Sequence, residues 1–156
     1  MQPYWNTDMD VVFHLSSGQS MAGPEAIANV SNLLADETVD HDAVALVTNG
    51  GGVQHLRADT DHSGRIRALI KRGVDVYSCQ NAMSAQGLTS DDLVGGVETM
   101  PSDVGGVADL EADGFLYIKI PRPYCARYRP EPPSSGRACL TQVQPWYQSA
   151  SNCSSS

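Results

Sequence analysis

Two kinds of hydrophobic pattern alternate along residues 10–120. Asp10–Ser16 (DVVFHLS) is a short β-branched apolar run closed by Ser17-Gly18, as a strand ending in a turn requires. Pro24–Ala35 places Ile27, Val30, Leu33 and Leu34 on one stripe, which predicts a helix with Pro24 at its first position. Ala43–Thr48 (AVALVT) is almost continuously apolar, the pattern of a strand buried on both faces, and Asn49-Gly50-Gly51-Gly52 ends it. A short helix is expected over Val53–Ala58. A clearer one runs over Ser63–Arg72, with Ser63 as N-cap, Ile66, Leu69 and Ile70 on one face, and Gly73 as C-cap. Val74–Cys79 reads as the third strand, followed by a helical turn from Ala82 and another at Thr89–Leu93. Val97–Met100 is a fourth strand. Val104, Val107 and Leu110 mark a last helix ending near Gly114, and Phe115–Ile120 (FLYIKI) is a fifth strand.

Five strands alternating with helices predict an α/β fold: a mostly parallel five-stranded sheet with helices on both faces. Such sheets place their sites beyond the carboxyl ends of the strands. Here those ends carry Ser16-Ser17-Gly18, Asn49-Gly50-Gly51 and Cys79-Gln80-Asn81.

The pattern breaks at Pro121. Residues 121–156 hold six of the nine prolines, end Ser-Asn-Cys-Ser-Ser-Ser and show no periodicity. The expected organisation is one α/β domain over 1–120 and a Pro/Ser-rich, poorly ordered C-terminal tail over 121–156. Charge divides at the same point. Residues 1–120 carry 17 Asp and Glu against 6 Lys and Arg, whereas the tail carries four Arg and one Glu; the whole chain is at −8. The acidic body argues against nucleic acid as a partner, because phosphate binding needs a basic face. Carboxylates with so few lysines suit a salt-rich cytoplasm, or simply an acidic protein. No apolar run approaches the ~20 residues that span a bilayer. The N-terminal residues show neither a basic start nor an apolar segment of a signal peptide, so a cytoplasmic location without membrane contact is expected.

Cys79 stands out chemically. It ends a buried strand just before a helical turn, where backbone N–H groups favour a thiolate, the form that attacks sulfur. Its bland alternative is a small buried hydrophobe. The Asn49–Gly52 turn offers N–H groups to an anion, although tight turning alone explains its glycines and it matches neither dinucleotide nor Walker loops. Asp59–Ile66 imitates the start of a calcium loop, but Ile70 stands where the bidentate Glu belongs. His14, His41, His55 and His62 form no helical pair, and each reads as a packed or edge histidine. Cys125, Cys139 and Cys153 lie in the tail, and no C-x-x-C occurs.

The ordered set Val11–Gly18, Asn29–Leu34, Ala45–Gly50, Gly73–Asn81, Gly87-Leu88-Thr89 and Gly114–Lys119 resembles the DsrE/DsrF-like family, including YchN-like proteins, over about residues 9–120. The resemblance implies a three-layer α/β/α sandwich that assembles as a homotrimer or homohexamer. It also implies a sulfurtransferase-like sulfur carrier. In relay members a cysteine after the third strand accepts sulfane sulfur from a donor protein as a persulfide and passes it to an acceptor. Their Cys-x-x-Ala with a Gly eight residues after the Cys is matched by Cys79, Ala82 and Gly87. Ala85 and Gln86 stand where relay members carry basic residues. On this reading Cys79 is the nucleophile, and Asn81, Asn49, Gly50, Gly51, Gly52 and Ser17 form the surrounding anion or ligand site. Neither metal nor organic cofactor is required. The alternatives are a non-catalytic oligomeric module binding a small anion or nucleotide at the strand ends, or a structural accessory subunit.

Overall fold

The computed structural model describes residues 8–120. The predicted tail and its three cysteines lie outside the described residues. Five strands, β1 (Met9–Leu15), β2 (His41–Thr48), β3 (Asp75–Cys79), β4 (Glu98–Met100) and β5 (Leu116–Ile120), form one sheet in the order β4-β3-β2-β1-β5. Every pairing is parallel. Four α-helices connect them: α1 (Ala22–Ala35), α2 (Ser63–Lys71), α3 (Gln80–Ala85) and α4 (Asp103–Ala112).

Side-chain alternation assigns the faces. Val11, Phe13, Leu15, Val44, Leu46, Val76 and Ile120 pack with Ala26, Ile27 and Val30 of α1, Ile66 and Leu69 of α2, and Met83 of α3 in the main core. The intervening residues Val12, Ala45 and Val47 form a smaller core with Tyr77, Met100, Phe115 and only Val107 and Leu110 of α4. The sandwich is therefore lopsided: three helices cover one face and a single helix the other. α4 is also the connection that carries the chain from β4 at one edge to β5 at the opposite edge, beside β1.

Local differences from the sequence expectation have physical causes. α1 begins at Ala22, two residues before Pro24. Pro24 still lies in the first turn, where no intrahelical N–H is needed. The expected helix at Val53–Ala58 is a 3-10 helix over Gly50–Leu56 that absorbs the glycine turn itself. Ser63 opens α2 as its first residue, while His62 occupies the cap position without a side-chain hydrogen bond to the first N–H groups of the helix. α3 starts at Gln80, directly after Cys79, rather than at Ala82. The Thr89–Leu93 turn is a 3-10 turn at Ser90–Asp92, closed by a capping box between Thr89 and Asp92. In the calcium-like loop, Asp59 is held by Arg57 at 2.7 and 3.0 Å.

Candidate functional site

Cys79 is the last residue of β3, an inner strand, and it occupies the cap position of the six-residue α3. It is 2 % exposed and is not disulfide-bonded. Because Tyr77 lies on the α4 side of the sheet, alternation puts Cys79 on that side too, beside its register partner Met100. Gln80 donates to the Thr99 hydroxyl at 3.1 Å, tying the start of α3 to β4. Asn81 is exposed on the first turn of α3.

Asn49 extends β2 by one residue past the Thr48–Ser78 pair, so it and Cys79 sit at the ends of neighbouring strands. Its backbone is extended, and its amide donates to Leu15 O at 3.0 Å. Its side chain donates to Asp103 Oδ2 at 2.5 Å, and Asn49 Oδ1 is buried without a partner. The glycines that follow are demanded by close packing. A Cβ on Gly51 would stand 2.8 Å from Gly18 N, and one on Gly52 would strike the Leu15 carbonyl oxygen. The Gly52 N–H is already donated to Asn49 O at 2.8 Å and Ser16 O at 3.3 Å. Gly50 adopts φ +49°, the left-handed region open to glycine. Ser17 Oγ accepts from Gln19 N at 3.2 Å, and its carbonyl accepts from His55 Nε2 at 3.1 Å. Asn49 and Gly50–Gly52 are thus brought to the strand ends beside Cys79, whereas Ser17 turns into its own loop and Asn81 faces outward.

A second group gathers on the α4 side: Asp103, Tyr117 and Lys119, not singled out from the sequence, and His14, read from it as a packed or edge histidine. His14 Nδ1 lies 2.6 Å from Tyr117 Oη, and His14 Nε2 lies 3.4 Å from Asp103 Oδ2. Asp103 also receives Asn49, and Lys119 donates to Ser16 Oγ. Burial lowers the His14 pKa, reinforced by the Lys119 charge. Burial, with Glu111 and Asp103 nearby, raises that of Tyr117. One signal for this group existed in the sequence: His14 interrupts an apolar strand, and Tyr117 and Lys119 alternate along the fifth. What the pattern lacks is the pairing of β1 with β5, which puts Lys119 in register with His14 and Tyr117 one step away beside Val12.

Elsewhere, His55 is 7 % exposed, and its ring fills the space where a side chain on Gly23 would go. His62 Nε2 donates to the His55 carbonyl at 3.0 Å. Both histidines hold the 3-10 segment to its neighbours, in keeping with the packed role read from the sequence.

A five-stranded, all-parallel sheet with helices on both faces defines an open parallel α/β domain, and the one cysteine among its described residues lies at the carboxyl end of an inner strand. The DsrE/DsrF-like family model matches residues 9–120, and the chain belongs to this family. Two solved structures are similar. MTH1491, a protein of unknown function from Methanobacterium thermoautotrophicum, is 34% identical with a TM-score of 0.66, over 72% of this chain and 99% of that one. The ychN protein from E. coli shares the fold at 13% identity and a TM-score of 0.59, over 71% of this chain and 98% of that one. No curated protein matches the chain.

Proposed function

We propose that this protein carries sulfane sulfur as a persulfide on Cys79. The observation that carries the reading is the position of Cys79: family membership over residues 9–120, and within it a free thiol ending an inner parallel strand, next to Asn49 and immediately before α3. In the proposed step the Cys79 thiolate attacks the outer sulfur of a donor R–S–SH. A Cys79–S–S bond forms, the donor S–S bond breaks, and the donor leaves as R–S⁻ with no net redox change. Asn49 supplies a neutral group near the product, and no metal or organic cofactor takes part. Because the thiol is buried, donor access requires local opening or docking of the donor protein. Assembly as a homotrimer or homohexamer accompanies this reading; exposed Val104 (74 %) and the exposed edge strand β5 supply apolar surface for it.

Support for the module that binds a small anion or nucleotide is weaker, since the Gly52 amide is already used within the protein. Incubation with a persulfide donor followed by mass spectrometry decides between the readings. The wild type gains about 32 Da, one sulfur atom, mapped to Cys79, and Cys79→Ser gains nothing there. Uptake that persists in Cys79→Ser and is lost when Cys125, Cys139 and Cys153 are all changed to serine places the chemistry in residues 121–156 instead. Light scattering that shows a monomer at all concentrations removes the assembly proposal.

A further inference from the structure

Asn49-Gly50 is the one Asn-Gly pair in the chain. A glycine after asparagine leaves the following peptide nitrogen unshielded, so that nitrogen can attack the side-chain carboxamide. In that step a bond forms between Gly50 N and Asn49 Cγ, and the bond from Cγ to Nδ2 breaks. Ammonia leaves, taking with it the proton lost from Gly50 N. Water then opens the cyclic imide at either carbonyl and gives aspartate or isoaspartate at position 49. Water is the sole co-reactant, and nothing is oxidised or reduced.

The fold exposes one half of this reaction and holds the other. Gly50 is exposed at φ +49°, a conformation that its missing side chain permits. The carboxamide, by contrast, is anchored: Asn49 Nδ2 donates to Asp103 Oδ2 at 2.5 Å, on the first residue of α4. A hydrogen bond to a charged acceptor is the stronger kind. The backbone of Asn49 is extended, with ψ 177°. Its N–H donates to Leu15 O at 3.0 Å, and its carbonyl accepts from Gly52 N at 2.8 Å. To meet Gly50 N, Cγ must turn away from Asp103 and ψ must leave its extended value, so these bonds oppose ring closure. We propose that Asn49 is a site of spontaneous deamidation in this chain, and that Asp103 is the residue that restrains it in the folded protein. The product replaces the donor facing Asp103 by a carboxylate. The link between β2 and α4 then turns from attraction to repulsion, and the strand end beside Cys79 gains a negative charge.

Peptide mapping by mass spectrometry tests this on the full chain incubated in mildly alkaline buffer, folded and in urea, with no sulfur donor present. Conversion of the amide adds about 1 Da at position 49. Mapping also separates it from Asp113-Gly114, which isomerises through the same imide without a change of mass. Folded wild type should convert at least about tenfold more slowly than the chain unfolded in urea, a comparison that needs no variant. Asp103→Ala and Asp103→Ser remove the acceptor; each one that shows a cooperative urea transition should convert about tenfold faster than folded wild type. Asp103→Asn keeps an oxygen to accept from Nδ2 and should stay close to wild type. No gain at position 49 in urea, equal rates in the folded and unfolded chain, or a folded Asp103→Ala or Asp103→Ser no faster than wild type each overturns the proposal.

Discussion

His14 and His55 are both held below the ordinary imidazole pKa, chiefly by burial. The sign of the consequence follows from linkage. Below about pH 6.5 the unfolded chain binds protons at these two rings that the folded chain refuses, so their effect lowers stability as pH falls from there towards the lowered folded values. Above that range both states are neutral and the two rings contribute no pH dependence. Asp36 and Asp92, held down by hydrogen bonds from Thr38 and Thr89, act only below about pH 4, where the unfolded chain begins to protonate them. Urea midpoints between pH 7.5 and 5 should therefore fall, and the fall should be shallower in His55→Gln, whose neutral side chain cannot titrate. An equal slope in the variant would remove His55 from the account. Gly52 sets a second expectation at this scale. Its missing side chain makes room for the Leu15 carbonyl, a backbone atom that cannot swing away. Gly52→Ala should cost about 3 kcal/mol in denaturant unfolding, the upper range of overpacking.

Elements were legible in the sequence wherever the hydrophobic period was long enough to count. The β2 run Ala43–Thr48 and the stripe of α1 identified themselves, because burial on two faces or on one leaves different patterns. What escaped the sequence was local and set by tertiary contact. The glycine turn became 3-10 helix because β1 and its following loop approach it closely, and no pattern in Asn49–Gly52 records that approach. Likewise the position of Cys79 was readable, while its burial stood in the sequence only as the alternative to a reactive thiol, and the His14–Tyr117–Asp103 group depends on strand and helix neighbours about 90 to 100 residues apart in the chain. α4 is the weakest element by composition. It has two adjacent glycines and no fully buried residue, yet among the described residues it is the one helix that covers its face. A side chain at Gly106 would meet Met100, whereas nothing lies within 4 Å of one at Gly105. Gly105→Ala should therefore stabilise the domain by roughly 0.5–1 kcal/mol through helix propensity, measured as a raised urea midpoint. A lowered midpoint would mean that this surface of α4 is occupied in the native assembly.

At the scale of the molecule, 17 acids face 6 bases within residues 1–120, and among the described residues only one ion pair, Arg57 with Asp59, joins an arginine or lysine to a carboxylate. Unpaired carboxylates at this density repel one another in the folded state, and added salt screens them. The thermal midpoint should rise from low to molar potassium chloride; a flat or falling midpoint would exclude a salt-adapted surface. The sheet order has a further consequence, which concerns the birth of the chain. β1 is made first yet ends between β2 and β5, and its second neighbour pairs through Val11 with Leu116, more than 100 residues later. While synthesis proceeds, α1, α2 and α3 can settle on β1–β4, but one flank of β1 keeps its backbone N–H and C=O groups unpaired. Such a flank recruits any extended chain, including a second nascent copy. A polypeptide ending at Gly114 should therefore aggregate on release, whereas one ending at Ile120 should fold cooperatively and remain dispersed. The hazard lies in the interval before β5 emerges, when a chain exposed only as far as Gly114 would hold β1–β4 with an open seam along β1.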